Sequence, residues 1–564
     1  MKIALLQCNS VTGDVAGNTE RILEAARQAA TAGAELCVTP ELALCGVAPG
    51  HYLCAEDFAG GCRRALDRLA AALAQGPALL VGAPVPSVYA SGLLSNAAVL
   101  VHKGGWQVVS RKVYQNQGQN QGQAPGAAQY QDEDARYFDR GISCGIVTLG
   151  GWRLGVVLCE DALSEENAFW KTRYASGHNP LMELVQRGVD AIVHMAASTF
   201  CVGAQEAGEH MLSHVAARHH VHLFSVNLVG GNDSRVYNGQ SLGFDPTGQL
   251  LARGKAFAED VLVVDTASNQ NGGKTPEPLC ACEEEACWRA LVLGTGDFVR
   301  KCGLEKAIVA ISGGMDSALV CSVAVEALGA KNVTGVLLPS PHSSEGSVKD
   351  AAAMAANLGI RTVTMPIGPL MEAFAVALKP GLDLFPQLPG DVTFENVQAR
   401  IRGTLITSLA NRAQALVLNT GNKSEGAMGY CTLYGDSVGA LAVIGDLTKT
   451  QVYAVGRWYN AHRGQEIIPE DIFTKAPSAE LRPGQKDSDS LLPYEELDPI
   501  LEDLLLPSAP GTARLAPQRL EVRRKLFAAE FKRRQEPLAL HLSRVPFGAA
   551  WQTPVAGRYR LPEA

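Results

Sequence analysis

Two turns in this sequence place reactive side chains at the end of an apolar run. In AIVAISGGMDSALV, residues 307–320, the run stops at Ser312-Gly313-Gly314 and resumes after Asp316 and Ser317. A strand that ends on serine and two glycines and opens a helix makes an anion site. The glycines adopt positive φ and let the backbone approach a phosphate. The helix N-terminus aims free N–H groups at it, and Ser312 and Ser317 add hydroxyl donors. No lysine follows the glycines, so this is not a G-x-x-x-x-G-K-[ST] loop. In LGVVLCEDAL a strand ends at Cys159 and turns through Glu160 and Asp161. A nucleophile on such a turn is exposed, and neighbouring N–H groups can bind an oxyanion. Glu41, in TPELAL, ends another apolar strand, where an unpaired acid is costly. Lys112, in VVSRKVY, comes after another strand-like segment. A glutamate, a lysine and a cysteine at strand ends of one α/β domain can converge at one edge. There the glutamate takes the thiol proton and the ammonium stabilises a tetrahedral oxyanion.

The elements that must hold these groups are strands alternating with helices. ELCVTPEL, ALLVGAP, NAAVLVH, LGVVLCED, DAIVHMAAS and HLFSVNLVGG are short apolar runs bounded by turn signals. NTERILEAARQAATAG and RRALDRLAAALAQG have helical apolar spacing and end at glycine. A second α/β series follows, with KAIVAIS, NVTGVLLPS, RTVTMPIG and ALVLNTGN as strands of a mostly parallel sheet. Between them TASNQNGGKTPEP is polar and rich in Gly and Pro. The expected organisation is a first domain over 1–265, a linker over 266–284, and a second domain over 285–564 whose tail carries basic segments.

Length and composition set outer bounds. A chain of 564 residues is too long for one core. The net charge of -8 argues against nucleic-acid binding, while small phosphate ligands need only a few local donors. The first residues, MKIALLQCN, read as a strand rather than a secretion signal. With no long apolar window, the 14 cysteines are expected as reduced thiols in the cytoplasm. Cys280, Cys282 and Cys287 lack paired C-x-x-C units, so a thiol-bearing linker is favoured over a metal site. His219, His220 and His222 are close in sequence, and a structural role is favoured over a metal there too. Residues 115–134 are rich in Gln, Gly and Asn and read as a mobile loop beside Lys112, either a lid or a passive insertion.

The glycine turn resembles the S-G-G-x-D-S loop of the N-type ATP pyrophosphatases, which cleave ATP to AMP and pyrophosphate. LPSPHSSEGSVKDA, ENVQARIRG, LNTGNKSEGAMGYCTLYGD, DLTKTQVY, KAPSAELRPGQKDSDSLLPYEELDPIL and EFKRRQ resemble the NAD synthetases over nearly all of 290–535. That resemblance implies ATP contacts at Ala310, Ile311, Ser312, Gly313, Gly314, Met315, Asp316, Ser317, Thr420, Lys449 and Ser478. It implies deamido-NAD contacts at Asn396, Arg400, Glu425, Asp436 and Lys532, and Mg²⁺ at Asp316 and Glu425. The chemistry agrees. A carboxylate does not accept ammonia directly, because oxide would have to leave, whereas adenylation makes AMP the leaving group. Cations must then surround the phosphates, and Mg²⁺ takes oxygen ligands.

Glu41, Lys112 and Cys159 together resemble the nitrilase superfamily, whose fold is an α-β-β-α sandwich. SVNLVGGNDSRVYNGQS resembles the glutaminase domain of the glutamine-dependent NAD synthetases in particular. In that family the cysteine forms a glutamyl thioester and frees ammonia, and Ser198 matches a glutamine-contacting serine. Two positions depart from the pattern. A Leu-Pro-x-Tyr segment is missing, which leaves Tyr114, Tyr130 and Tyr137 as alternatives for a glutamine-contacting tyrosine. Ala204 stands where a basic residue is usual. The expected fold is therefore α/β throughout: a nitrilase-like sandwich, then a Rossmann-like parallel sheet with helices on both faces. The expected reaction converts deamido-NAD, ATP and glutamine to NAD, AMP, pyrophosphate and glutamate, with ammonia channelled between sites. The family also implies a homodimer or a larger homo-oligomer. An ammonia-using synthetase with an inactive N-terminal scaffold stands as the alternative. Other amidotransferases use the same ATP loop but carry other glutaminases.

Overall fold

The computed structural model describes residues 1–89, 93–114, 134–162, 179–266, 276–506 and 516–557. The Gln/Gly-rich stretch, Tyr130 and most of the polar linker lie outside these residues. The chain divides into two compact units, Met1–Ala281 and Cys282–Ala564.

Among the described residues the first unit has fourteen strands: β1 Lys2–Gln7, β2 Leu36–Val38, β3 Ala78–Pro86, β4 Leu94–His102, β5 Gly105–Arg111, β6 Gly145–Leu149, β7 Trp152–Leu158, β8 Ala191–Ala196, β9 His222–Asn227, β10 Val229–Asn232, β11 Arg235–Asn238, β12 Leu242–Phe244, β13 Leu250–Arg253 and β14 Asp260–Asp265. One six-stranded sheet has the order β14-β1-β2-β3-β4-β5 and the other β13-β12-β9-β8-β7-β6. In each, two parallel pairings are flanked by antiparallel ones: β1–β2–β3 in the first and β7–β8–β9 in the second. Read from β14 and from β6, the two sheets repeat the same sequence of pairings.

Strand alternation explains the layering. Ile3, Leu5, Leu80, Leu154, Val156, Val193 and Phe224 form one core between the sheets. Their neighbours point the other way. Ala4, Leu6, Leu79 and Val81 pack on the helices Val15–Thr31 and Phe58–Ala72 through Ile22, Leu23, Leu66 and Leu69. Val157, Ile192 and Leu223 pack on the helices Pro180–Gln186 and Gln205–His219. The result is an α-β-β-α sandwich, with both faces of each sheet dry in its central strands. His222 stacks on Phe224 and lies near Trp152, which is a packing role.

The second unit carries β15 Lys306–Ala310, β16 Val333–Leu337, β17 Arg361–Thr364, β18 Ala415–Asn419, β19 Leu441–Ala442 and β20 Leu538–Ala539. All pairings are parallel and the order is β17-β16-β15-β18-β19-β20. In chain order this is 3-2-1-4-5-6, the doubly wound arrangement whose crevice lies beyond the C-terminal ends of the central strands. Helix Thr393–Ala413 covers one face through Val397, Ile401 and Ile406 against Ile308, Val336 and Val417. Helices Met315–Leu328 and Glu345–Leu358 pack on β15, β16 and β17, with helices Glu283–Lys301 and Lys449–Arg463 against the first of them.

Residues 283 and 284, expected as linker, are already helical. Glu283, Glu284 and Glu285 fill the first turn of helix Glu283–Lys301, where acids offset the macrodipole. Cys282 caps that helix and Cys287 is buried in it. Among the described residues no group of three or more His, Cys, Asp and Glu side chains is placed to hold a metal. Helix Gly368–Leu382 has no buried residue; Phe374 and Val376 on it and Leu384, Phe385 and Leu388 just after it are exposed. No helix among the described residues is long and apolar enough to cross a membrane.

Candidate active sites

Cys159 follows β7 directly and adopts φ 42°, a left-handed conformation that a non-glycine residue rarely takes. Glu41 follows β2 and Lys112 follows β5, both in the other sheet. The lysine ammonium is buried, 2.9 Å from Glu41 Oε1 and 2.8 Å from Glu160 Oε2. Asn96 Nδ2 donates to Glu41 Oε1 at 2.7 Å. Gly82 makes room for the acid: a Cβ there would lie 2.4 Å from the Pro40 carbonyl oxygen and 2.5 Å from the Leu42 nitrogen. Burial pushes the Cys159 thiol well above its ordinary range, and the charges of Glu160 and Glu41 add to this. Lys112 and the Ala197 N–H pull the other way. The resting group is therefore a thiol, and a neighbouring base must take its proton for it to attack.

The next two residues of the turn bind the lysine segment. Glu160 makes the ion pair just described, and Asp161 accepts the N–H groups of Val113 at 3.1 Å and Tyr114 at 2.7 Å. Burial pushes Asp161 up to about 7, against the pull of those N–H groups. Ser198 lies one residue beyond Ala197, and its N–H donates to Asn227 Oδ1 at 2.9 Å. Ala204 is the N-cap of helix Gln205–His219 and makes no side-chain cap bond. Of the tyrosines left open, Tyr114 is buried by the Asp161 clamp, and Tyr137 has its hydroxyl 2.9 Å from His51 Nδ1. Another tyrosine lies near this site: Tyr237, on β11, is buried, and burial raises its hydroxyl, with the charges of Cys159 and Glu41 adding to this.

In the second unit the glycine turn joins β15 to helix Met315–Leu328. Ala310 ends the strand, and the Ile311 N–H donates to the Val336 carbonyl at 2.9 Å. The serines brace the loop. Ser317 Oγ donates to the Gly314 carbonyl at 3.0 Å, and the Gly314 N–H donates to Ser312 Oγ at 3.2 Å. Gly313 has φ 80°, and a Cβ there would lie 2.2 Å from the Ser347 carbonyl oxygen. Met315 packs against Gly456. Asp316 accepts from Asn422 Nδ2 at 3.0 Å and pairs with Lys449. Lys449 Nζ lies 3.3 Å from Glu425 Oε1, so one buried ammonium joins the two acids. Two capped helices set those positions. Asn422 and Glu425 form a capping box at helix Lys423–Met428, and Thr448 and Gln451 form another at helix Lys449–Arg463. Burial raises the Glu425 carboxyl, with Lys449 opposing. Burial disfavours the Lys449 ammonium, but Asp316 and Glu425 outweigh it and hold the charge.

Thr420 immediately follows β18, next to β15 in the sheet. Asn396, Arg400, Asp436 and Lys532 gather around the turn 429–436. Thr432 donates its hydroxyl to Asn396 Oδ1 and its N–H to Asp436 Oδ1, each at 2.6 Å. Arg400 Nε donates to the Leu433 carbonyl at 3.2 Å, and Lys532 Nζ to the Gly429 and Cys431 carbonyls at 2.7 Å each. Ser478 is engaged in its own loop, donating to the Gln485 carbonyl at 2.6 Å. The residue of that loop which meets the glycine turn is Lys475, whose Nζ donates to the Gly313 carbonyl at 2.9 Å and to Ser347 Oγ at 2.8 Å. It stood inside the KAPSAEL segment but carried no separate signal. His342 lines a cavity of ≈ 460 Å³ with Phe394, Glu395 and Arg482.

Residues 2–271 match the carbon-nitrogen hydrolase family model and residues 287–535 the NAD synthase model. These define a carbon–nitrogen-bond hydrolase domain fused to a nucleotide-activating synthetase domain. The glutamine-dependent NAD(+) synthetase of Synechocystis sp. is 42% identical over 98% of both chains. The one from Thermotoga maritima is 37% identical over 100% of this chain and 99% of the other. The solved structure of the Acinetobacter baumannii glutamine-dependent NAD+ synthetase with adenosine diphosphate superposes with a TM-score of 0.73 at 28% identity, covering 98% of each chain. The chain belongs to the glutamine-dependent NAD(+) synthetase family.

Proposed function

We propose that this chain amidates deamido-NAD to NAD with nitrogen from glutamine, through the following residues. Glu41 takes the proton of Cys159, and the sulfur attacks the carboxamide carbon of glutamine. The Lys112 ammonium faces the oxyanion. The C–N bond breaks, Glu41 returns the proton to the leaving nitrogen, and ammonia departs from a glutamyl thioester. Water, deprotonated by Glu41, then releases glutamate and restores the thiol. Ser198 and the region of Ala204 contact glutamine. The observation that carries this reading is one buried ammonium held at 2.9 Å and 2.8 Å between two glutamates beside a strained cysteine.

In the synthetase domain the nicotinate carboxylate attacks the α-phosphorus of ATP, and pyrophosphate leaves. Ammonia then attacks the acyl adenylate and AMP leaves. Ala310, Ile311, Ser312, Gly313, Gly314, Met315, Asp316 and Ser317 hold the phosphates with Thr420, Lys449 and Ser478. Asn396, Arg400, Glu425, Asp436 and Lys532 hold deamido-NAD. Asp316 and Glu425 fit Mg²⁺ in type, being paired carboxylates beside a phosphate loop, and a bound Mg²⁺ would neutralise charge building on the phosphates. Free ammonia is mostly ammonium at neutral pH, so the fusion of both domains in one chain supports channelled delivery. The exposed apolar residues around helix Gly368–Leu382 support a homodimer or larger homo-oligomer. The reduced thiols fit a cytoplasmic enzyme. The domains are proposed as glutaminase over 1–265 and synthetase over 285–564.

The test compares parent and Cys159→Ala for NAD formation from deamido-NAD and ATP, with glutamine or ammonium as nitrogen source. Loss of the glutamine-driven reaction alone is expected. A parent that ignores glutamine would make the first domain a scaffold. Labelled ammonium that mixes freely with glutamine nitrogen during turnover would end the channelling proposal.

A further inference from the structure

His194, on β8, is buried between Val157 of β7 and Ser225 of β9, its partners in register. Its Nε2 lies 3.0 Å from the Cys159 carbonyl oxygen, and its Nδ1 lies 3.0 Å from Ser225 Oγ. A carbonyl can only accept, so Nε2 carries the proton. Nδ1 is then bare and accepts the Ser225 hydroxyl. Burial lowers His194 to about 4, which keeps the imidazole neutral near neutral pH.

The Cys159 backbone requires such support. Left-handed φ at a non-glycine residue persists only where the surroundings over-determine it. The β7–β8 ladder stops at the pair Leu158 and Met195, so the carbonyl of the next residue has left the sheet pattern. The imidazole supplies the donor that the ladder no longer provides. The Ala197 N–H of the same segment favours the thiolate of Cys159. Cys159 is thus held at its carbonyl by the imidazole of His194.

We propose that His194 and Ser225 are a positioning pair for the nucleophile: the imidazole N–H on the Cys159 carbonyl holds the strained turn that presents the thiol, and Ser225 fixes which nitrogen bears the proton. This rests on Cys159 being the nucleophile. Neither residue touches substrate, and both act through the backbone of Cys159.

The experiment uses the full chain with His194→Leu, His194→Gln, Ser225→Ala and Ser225→Thr. Each is assayed for glutamine-driven and ammonium-driven NAD formation, with kcat and KM for glutamine. His194→Leu is expected to lower glutamine-driven kcat by about 10²-fold, the scale for a displaced reacting group. KM for glutamine and the ammonium-driven rate are expected to stay near parental values. His194→Gln keeps a donor N–H and is expected to recover most of the loss. Ser225→Ala lets the proton move to Nδ1 and is expected to fall between parent and His194→Leu, with Ser225→Thr restoring the rate. The proposal is overturned if His194→Gln falls as far as His194→Leu, or if Ser225→Ala leaves kcat unchanged. Should His194→Leu fail to fold, the serine pair still decides, since that change removes a single oxygen. Cys159→Ala run alongside separates the two readings: if it retains glutamine-driven synthesis, the nucleophile assignment itself has failed.

Discussion

Replacing Lys449 by methionine tests whether Asp316 and Glu425, the two acids beside the glycine turn, are held together by one buried cation. The side chains have similar length, so packing is largely kept and the charge alone is lost. In the parent, Lys449 is 4% exposed, pairs with Asp316 and lies 3.3 Å from Glu425 Oε1. Two carboxylates would remain with no cation between them. Removing one partner of a buried pair costs about 3–5 kcal/mol, because the remaining charge stays desolvated. The cost depends on pH with a definite sign. Glu425 is raised by burial and lowered by Lys449, so removing the lysine raises it further. A group whose folded pKa lies above its unfolded value stabilises the fold at low pH, and that contribution is lost as pH rises through the folded pKa. Lys449→Met is therefore expected to be nearest the parent in acid and to fall away as pH rises. Urea unfolding of parent and variant across about pH 5 to 9, followed by fluorescence, reads both features. A penalty below about 1 kcal/mol, the scale of an exposed ion pair, would refute the buried-clamp argument. So would a penalty that does not change with pH.

Three further outcomes are expected. Asp161 is raised to about 7 by burial, so its contribution to stability is lost as pH rises through about 7; Asp161→Asn flattens that part of the stability profile, which thermal unfolding across the same range measures. Gly313→Ala places a methyl against the Ser347 carbonyl in a left-handed residue, and abolishes NAD formation from either nitrogen source while circular dichroism stays near parental. Glu41→Gln keeps the shape beside Lys112 but removes the base, and lowers glutamine-driven synthesis by about 10²–10⁴-fold with ammonium-driven synthesis retained; equal loss of both would point to a structural role.

Much of this was legible because the pattern and the chemistry coincide. Runs such as LGVVL and KAIVA are strands dry on both faces, and each of those two ends at a functional turn. Glu41, Lys112 and Cys159 could be paired from sequence because strand ends of one domain converge. The partners that complete the site could not. Asn96 lies in the middle of an apolar strand pattern, and only the β3–β4–β5 pairing brings it to Glu41. Tyr237 sits on a two-stranded hairpin whose placement is a tertiary fact. Lys475 is one charged residue in a polar loop, and nothing local distinguishes it from a solvated lysine. The start of helix Glu283–Lys301 is hidden in the sequence because its acidic run resembles a polar spacer, whereas three glutamates also open a helix well.

Each half of the sandwich contributes two groups to the proposed glutaminase centre: Glu41 and Lys112 come from one sheet, Cys159 and Glu160 from the other. The Lys112–Glu160 bond therefore spans the seam between the sheets, and the reacting groups act as a gauge of the gap. Sheets packed face to face lie about 10 Å apart, set by the side chains between them. Phe224, fully buried in that layer, is a spacer in this sense. A change of spacer volume alters the distance from sulfur to ammonium without touching either. Tuning of the proposed first reaction can thus arise in the hydrophobic core, on a strand that carries none of the reacting groups.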